Sequence, residues 1–262
     1  ENLGDRDGVL KAKTEIFQSM KPNGHIVLNG DDDKLITVRE YNGVKPVFFG
    51  LNSERDVYAD QIESKGLKGV ACRIHLGEDA FDVLVPTPGI HMVYNALAAA
   101  AVGRIYGLTI EEIRRGIESL ETIRGRFKMI ETDKFLVVDD CYNANPMSMK
   151  ASLDVLHDGE GRRVAILGDM GELGEDEAAL HEGVGIHAAT CGIDACVCVG
   201  DLAVHIAEAA RKANPDFPVY YEKTRESLLE HLNDYVQKGD TILVKASHFM
   251  KFEEVVKALE EM

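Results

Sequence analysis

Arg163-Val164-Ala165-Ile166-Leu167-Gly168-Asp169-Met170-Gly171-Glu172-Leu173-Gly174 is the stretch that decides the fold. Val164 to Leu167 is a continuous apolar run without polar alternation, the pattern of a strand buried on both faces. It stops at Gly168-Asp169, and after a glycine-rich loop a helical pattern runs over Asp176–Ala189. The same order repeats on both sides. Strands are predicted at Phe135–Asp139, Ala195–Val199, Val219–Tyr220 and Ile242–Val244, and helices at Met147–Leu156, Leu202–Ala213, Thr224–Val236 and Phe249–Leu259. Strand-helix alternation of this kind builds a mostly parallel sheet covered on both faces. Residues 125–262 therefore read as a Rossmann-like C-terminal domain of an α/β protein.

The grammar before Arg124-Gly125 is different. A helix is predicted over Asp5–Met20, ended by Pro22-Asn23-Gly24, followed by a short strand His25–Leu28 that runs into Asn29-Gly30-Asp31-Asp32-Asp33. Val47–Phe49 reads as another strand, and Val57 to Val85 as an antiparallel meander with turns between its apolar runs. Thr87-Pro88-Gly89 breaks the meander ahead of an Ala-rich helix, His91–Tyr106, and a second helix, Ile110–Leu120, capped by Thr109 with Glu112 at the capping-box position. Residues 1–124 are thus expected to hold a mixed sheet plus helices.

Composition narrows the function. With 29 Lys+Arg against 45 Asp+Glu the formal charge is −16, and no basic run exceeds the pairs Arg114-Arg115 and Arg162-Arg163. A nucleic-acid partner needs a clustered basic face, so none is expected. No apolar run approaches the roughly 18 residues of a membrane span, so no membrane insertion is expected. Five cysteines, an odd number without a secretory context, fit a reducing cytoplasm. The chain opens Glu1-Asn2-Leu3-Gly4 without Met, which reads as the interior of a longer protein.

In an open α/β sheet ligands gather beyond the carboxyl ends of the strands. Asp139-Asp140, Gly168-Asp169, Gly200-Asp201 and Lys245-Ala246-Ser247 all fall there, although an aspartate at such a junction is as readily a helix cap. Two phosphate signatures are absent. None of the 24 glycines precedes a lysine, so there is no Walker A loop, and G-x-G-x-x-G does not occur.

Tyr142-Asn143-Ala144-Asn145-Pro146 after a strand ending Asp139-Asp140, the loop Gly168 to Gly174, and Ile242-Leu243-Val244-Lys245 before a helix jointly resemble the Mur ligase family, in its dipeptide-adding branch. Leu10 to Phe17, Pro88-Gly89-Ile90-His91, Tyr94 to Ala99 and Gly125-Arg126-Phe127 extend the resemblance along the whole chain. It implies that residues 1–124 are the C-terminal part of a central ATP-binding domain, with the N-terminal domain and P-loop outside this sequence. It also implies the activity: an ATP- and Mg2+-dependent cytoplasmic ligase of peptidoglycan precursor synthesis. Such an enzyme joins D-Ala-D-Ala to UDP-MurNAc-tripeptide through an acyl phosphate. A monomer is expected, inactive by itself.

The resemblance also assigns residues. Lys13 matches a lysine that, once carbamylated, would present anionic oxygens to Mg2+ where an ammonium would repel it. Asn95, with an amide donor and acceptor for a base edge, and His91, one turn earlier on the same face, match adenine contacts. Arg126 matches a phosphate contact and Asp140 a ribose contact. Tyr142, Asn143, Asn145, Asp169, Met170, Glu172, Leu173, Lys245, Ser247 and His248 are expected at the dipeptide. This sequence has Lys245-Ala246-Ser247-His248 where the family has Lys-Gly-Ser-Arg, and Cys141 where Ser or Thr is usual.

Other clusters have simpler explanations. Cys196 and Cys198 alternate within an apolar strand and read as buried thiols rather than as zinc ligands with His187 and Cys191. Asp31-Asp32-Asp33 reads as an acidic helix start rather than a metal cluster. The competing functions are another Mur-type or folylpolyglutamate-like amide ligase, and a non-catalytic Rossmann-like binding module.

Overall fold

The computed structural model describes residues 3–262, and the chain divides into two compact units between Leu120 and Glu121. The first begins with α1 (Arg6–Thr14), capped by Asp5, whose carboxylate accepts from the Gly8 amide. The predicted helix to Met20 stops early. The Thr14 hydroxyl bonds back to the Leu10 and Lys11 carbonyls, and residues Glu15–Ser19 tighten into a 3-10 turn that buries Phe17.

A five-stranded mixed sheet follows, ordered β1 (Val27–Asn29), β2 (Val47–Gly50), β3 (Val57–Ser64), β4 (Val70–Leu76), β5 (Asp79–Val85). The first three strands run parallel and the last three form the expected meander. Val57, Val70, Cys72, Ile74, Val83 and Val85 face inward at every second position and pack against α2 (Ile90–Ile105) and α3 (Ile110–Glu118). The capping box at Thr109 and Glu112 is formed in full.

The acidic run is not a helix start. Asp32 accepts from the Lys34 and Leu35 amides, leading into a single 3-10 turn, Leu35–Thr37, and Asp33 pairs with Arg6. Asp31 accepts from the Leu51 amide, Arg55 and the Tyr94 hydroxyl, tying the ends of β1 and β2 to α2. Burial alone would raise the Asp31 carboxyl, but these three donors hold it below its ordinary range.

The second unit carries a six-stranded sheet. Its strands are β6 (Lys128–Glu131), β7 (Leu136–Asp139), β8 (Arg163–Gly168), β9 (Ala195–Val199), β10 (Val219–Glu222) and β11 (Thr241–Lys245), in the spatial order β10-β9-β8-β11-β7-β6. All pairs are parallel except β6 with β7. Helices α4 (Pro146–His157), α5 (Glu177–Thr190) and α6 (Ala203–Ala213) pack on one another, α4 and α6 against the sheet. Helices α7 (Arg225–Tyr235) and α8 (Glu253–Glu261) complete a core with Val137, Ile166, Val197, Ile242 and Val244. Cys196 and Cys198 lie with their sulfurs 3.6 Å apart, fully buried.

The segment predicted as one helix over Phe249–Leu259 is broken. Residues His248–Met250 form a 3-10 turn, and Lys251 is left-handed with φ 53°. That reversal carries Phe252 into the core, and α8 begins only at Glu253.

Candidate functional site

Strands β8, β11 and β7 lie side by side and parallel, so the loops at their carboxyl ends, 168–174, 246–248 and 140–145, are neighbours. Lys245, expected at the dipeptide, is turned inward instead. Its side chain is 2% exposed, and Nζ donates to Asp140 Oδ2 at 2.6 Å and to the Asn143 carbonyl at 3.0 Å. Ser152 on α4 donates to the same Asp140 oxygen at 2.8 Å. Both partners use Oδ2, leaving Oδ1 of the expected ribose contact uncommitted.

The glycine loop is likewise built inward. Asp169 is 6% exposed and accepts from the Leu202 and Ala203 amides at 3.0 and 2.7 Å, capping α6. Burial raises its carboxyl above the usual range, although those two amides oppose the shift. Gly200, at φ 125°, is required here, because a Cβ would meet the Asp169 carboxylate at 2.3 Å. Met170 is fully buried. Its amide donates to Nε2 of buried His181, whose Nδ1 faces the Glu177 carbonyl at 2.7 Å, so the proton sits on Nδ1. Asp169 and Met170, expected at the dipeptide, therefore act as a helix cap and a core anchor. A polar junction and an apolar loop residue look alike in sequence whether they face a ligand or the interior.

Ser247 is nearly buried, and its Oγ accepts from the Gly171 amide at 2.9 Å, leaving the hydroxyl hydrogen for another acceptor. Asn145 is the N-cap of α4, with its carboxamide oxygen on the Ser148 amide. Asn143 bonds its own side-chain oxygen to the Ala144 amide and stays exposed. Glu172 is exposed in a left-handed turn at φ 61°, and Leu173 is half-buried. Cys141 is buried and donates to Asp139, so its thiol, raised by burial and by that carboxylate, cannot replace an exposed hydroxyl.

Arg126, Tyr142 and His248 also face outward. The guanidinium of Arg126 lies 4.2 Å from the Tyr142 ring centre, and the His248 ring is 5.3 Å from the same ring. Arg126 is held on tyrosine's π face rather than by a carboxylate, which keeps its donors available to an anion. Gly125, at φ 77°, brings the chain here: its amide donates to Asp139 and its carbonyl accepts from the Tyr142 amide. Phe249, 62% exposed, borders Gly171. Sequence reasoning missed Phe249, Ser152 and His181. Ser152 and His181 were detectable as polar residues on the buried faces of their helices.

In the first unit, Asn95 sits on the rim of a cavity of about 340 Å³ between α2 and α3. Its walls are apolar, from Val85, Met92, Ala96, Ile113 and Ile117, and its one carboxylate, Glu112, is engaged by the Thr109 cap. Asn95 donates to Met92 Sδ at 3.4 Å, a weak contact that a better acceptor displaces. His91 is exposed one turn before it. Lys13 is exposed in the last turn of α1.

Residues 1–103 match the Mur ligase middle domain, and residues 125–248 match the Mur ligase, glutamate ligase domain. The chain belongs to the Mur ligase family. Over its full length this Mur ligase chain is 34% identical to the UDP-N-acetylmuramoyl-tripeptide–D-alanyl-D-alanine ligase of Bacillus subtilis, covering 56% of that protein. It is 35% identical to the enzyme of the same name from Escherichia coli, covering 57% of it. Among solved structures it resembles MurF from Acinetobacter baumannii with a TM-score of 0.86 at 31% identity, over 99% of this chain and 56% of that one. It also resembles MurF ligase from Thermotoga maritima in complex with ADP, with a TM-score of 0.81 at 26% identity, over 100% of this chain and 58% of that one. The chain spans about half the length of the curated relatives it matches.

The Mur ligase chain fits a nucleotide and a metal unequally. An apolar cavity with an amide at its rim suits a purine base. Among the described residues, no three His, Cys, Asp or Glu side chains gather as a metal site. Lys13 alone does not make a magnesium site. Among the described residues no helix is long and apolar enough to cross a membrane.

Proposed function

We propose that this chain handles the nucleotide and the incoming dipeptide in an ATP-dependent ligase that joins D-Ala-D-Ala to UDP-MurNAc-tripeptide. ATP, when bound, would supply the phosphoryl group that turns the tripeptide's terminal carboxylate into an acyl phosphate with ADP leaving; the dipeptide amine would then attack the acyl carbon, lose a proton and displace inorganic phosphate to form the amide. In this reading Asn95 and His91 read the base at the apolar cavity, and the free Oδ1 of Asp140 accepts from the ribose hydroxyls. Arg126 offers a planar pair of donors to a phosphate or carboxylate oxygen, where charge builds during transfer. Ser247, with its hydroxyl hydrogen uncommitted, and the exposed rings of Tyr142 and His248 receive the dipeptide, along with Asn143, Glu172 and Leu173.

The observation that carries the proposal is the Arg126–Tyr142–His248 cluster beside Ser247, a cation and polar donors at the carboxyl edge of the sheet in a chain of this family. The proposal extends to magnesium held in part by a carbamylated Lys13, and to a cytoplasmic monomer divided into domains at residues 124 and 125. No Gly-Lys pair occurs in these 262 residues, so the phosphate loop is proposed to come from sequence outside them. Mixing the chain alone with ATP, UDP-MurNAc-tripeptide and D-Ala-D-Ala is expected to release no ADP. Dipeptide-dependent ADP release by the chain alone would overturn this division of labour.

A further inference from the structure

We infer that Lys245 is a positioning residue that touches neither nucleotide nor dipeptide, but clamps the loop that presents both Asp140 and Tyr142. Lys245 ends β11, the strand between β8 and β7, and its side chain is only 2% exposed. Burying an ammonium is costly unless it is paired and hydrogen-bonded. Two of the Lys245 donors are met by the loop after β7: Asp140 Oδ2 at 2.6 Å and the Asn143 carbonyl at 3.0 Å. These acceptors are three residues apart, so one ammonium grips the loop at two points.

Ser152 on α4 closes the clamp from the other side, with its hydroxyl shared between Asp140 Oδ2 and the Ser148 carbonyl. The consequence is directional. With Oδ2 held by Lys245 and Ser152, only Oδ1 can turn outward, and the Asn143 carbonyl is pinned so that Tyr142 projects toward Arg126. A neutral residue at 245 would leave Asp140 as an unpaired, mostly buried carboxylate and release the Asn143 carbonyl. The loop's own amides report on this. Those of Tyr142, Ala144 and Asn145 are bonded to the Gly125 carbonyl, Asn143 Oδ1 and Ser148 Oγ.

The functional part of this inference rests on the ligase reading above, whereas the clamp itself does not. Hydrogen exchange of the 262-residue chain tests the clamp without any ligand. Lys245→Met is expected to speed exchange of the Tyr142, Ala144 and Asn145 amides by at least about tenfold while β8 and β9 keep their protection. A uniform rise across the sheet, or none in the loop, would overturn it. Should Lys245→Met fail to fold, the charge-neutral pair Lys245→Met with Asp140→Asn serves, and the same loop-restricted rise is expected.

In the complete ligase carrying this segment, the variant is expected to raise KM for ATP and for D-Ala-D-Ala by about tenfold with kcat changed by less than about threefold. A loss confined to kcat would make Lys245 a participant in the chemistry and contradict the positioning role. If the wild-type ligase forms no product, the ligase reading fails, and loop exchange alone decides the clamp.

Discussion

Asp169 and Lys245 carry charges that solvent hardly reaches, and each is directed at the protein itself. Asp169 satisfies two amides at the start of α6, groups that no carbonyl of the helix can reach. Replacing it with Ala removes a cap and leaves those donors buried, for a loss of about 1–2 kcal/mol in urea unfolding. A loss of only a few tenths would mean that the cap is not formed. The sequence announced both residues as polar groups at strand ends, which is where ligands bind, and so pointed to the right edge of the sheet. It could not say which way a side chain turns there. Arg126, Tyr142 and His248 turn out, while Asp169, Met170 and Lys245 turn in, and the choice depends on partners that lie between 33 and 105 residues away for the two charged groups. The thiols were more legible: Cys196 and Cys198, read as buried from their place in an apolar strand, are fully buried, and in the first unit burial together with Asp60 and Asp82 pushes Cys72 up to about 11.

Elements whose apolar pattern was continuous or strictly periodic stand where the sequence put them, from β8 to the α3 capping box. The exceptions have local causes. Lys128-Met129-Ile130-Glu131 forms edge strand β6, half-buried and flanked by charge, and so gave too weak a pattern to be read. The helix expected from Phe249 starts late because Lys251 takes a left-handed turn to bury Phe252. The capping box is testable: Thr109→Ala is expected to cost about 1 kcal/mol, measured by thermal or urea unfolding.

A second element-scale prediction concerns β10 and α7, where Glu222 accepts from Ser227, His231 and Tyr235. The Glu222 hydrogen bond raises His231 above its ordinary 6.5, so its contribution to stability is complete below that value and fades as pH climbs through the raised one. Glu222 is lowered from its ordinary 4.5, because the three donors outweigh a burial effect that alone would raise it. Its contribution is complete above 4.5 and fades as pH falls through the lowered value. His231→Gln is therefore expected to be less stable than wild type at about pH 6, and the deficit to shrink by about pH 9. A deficit independent of pH would contradict the pairing.

At the scale of the molecule, the chain is two α/β units, each with its own core and its own share of the proposed chemistry. The first offers an apolar cavity rimmed by Asn95, and the second a sheet edge with Arg126, Tyr142, Ser247 and a clamped Asp140. The acidic charge of −16 is compatible with this, because phosphate is met by single placed donors rather than by a basic field. The most direct test is acceptor choice by the complete polypeptide that carries these residues, read as ADP released in the presence of ATP and UDP-MurNAc-tripeptide. The account predicts release with D-Ala-D-Ala, none with single amino acids, and a kcat lowered at least about tenfold by Arg126→Ala. Release driven by a single amino acid and not by D-Ala-D-Ala would contradict it.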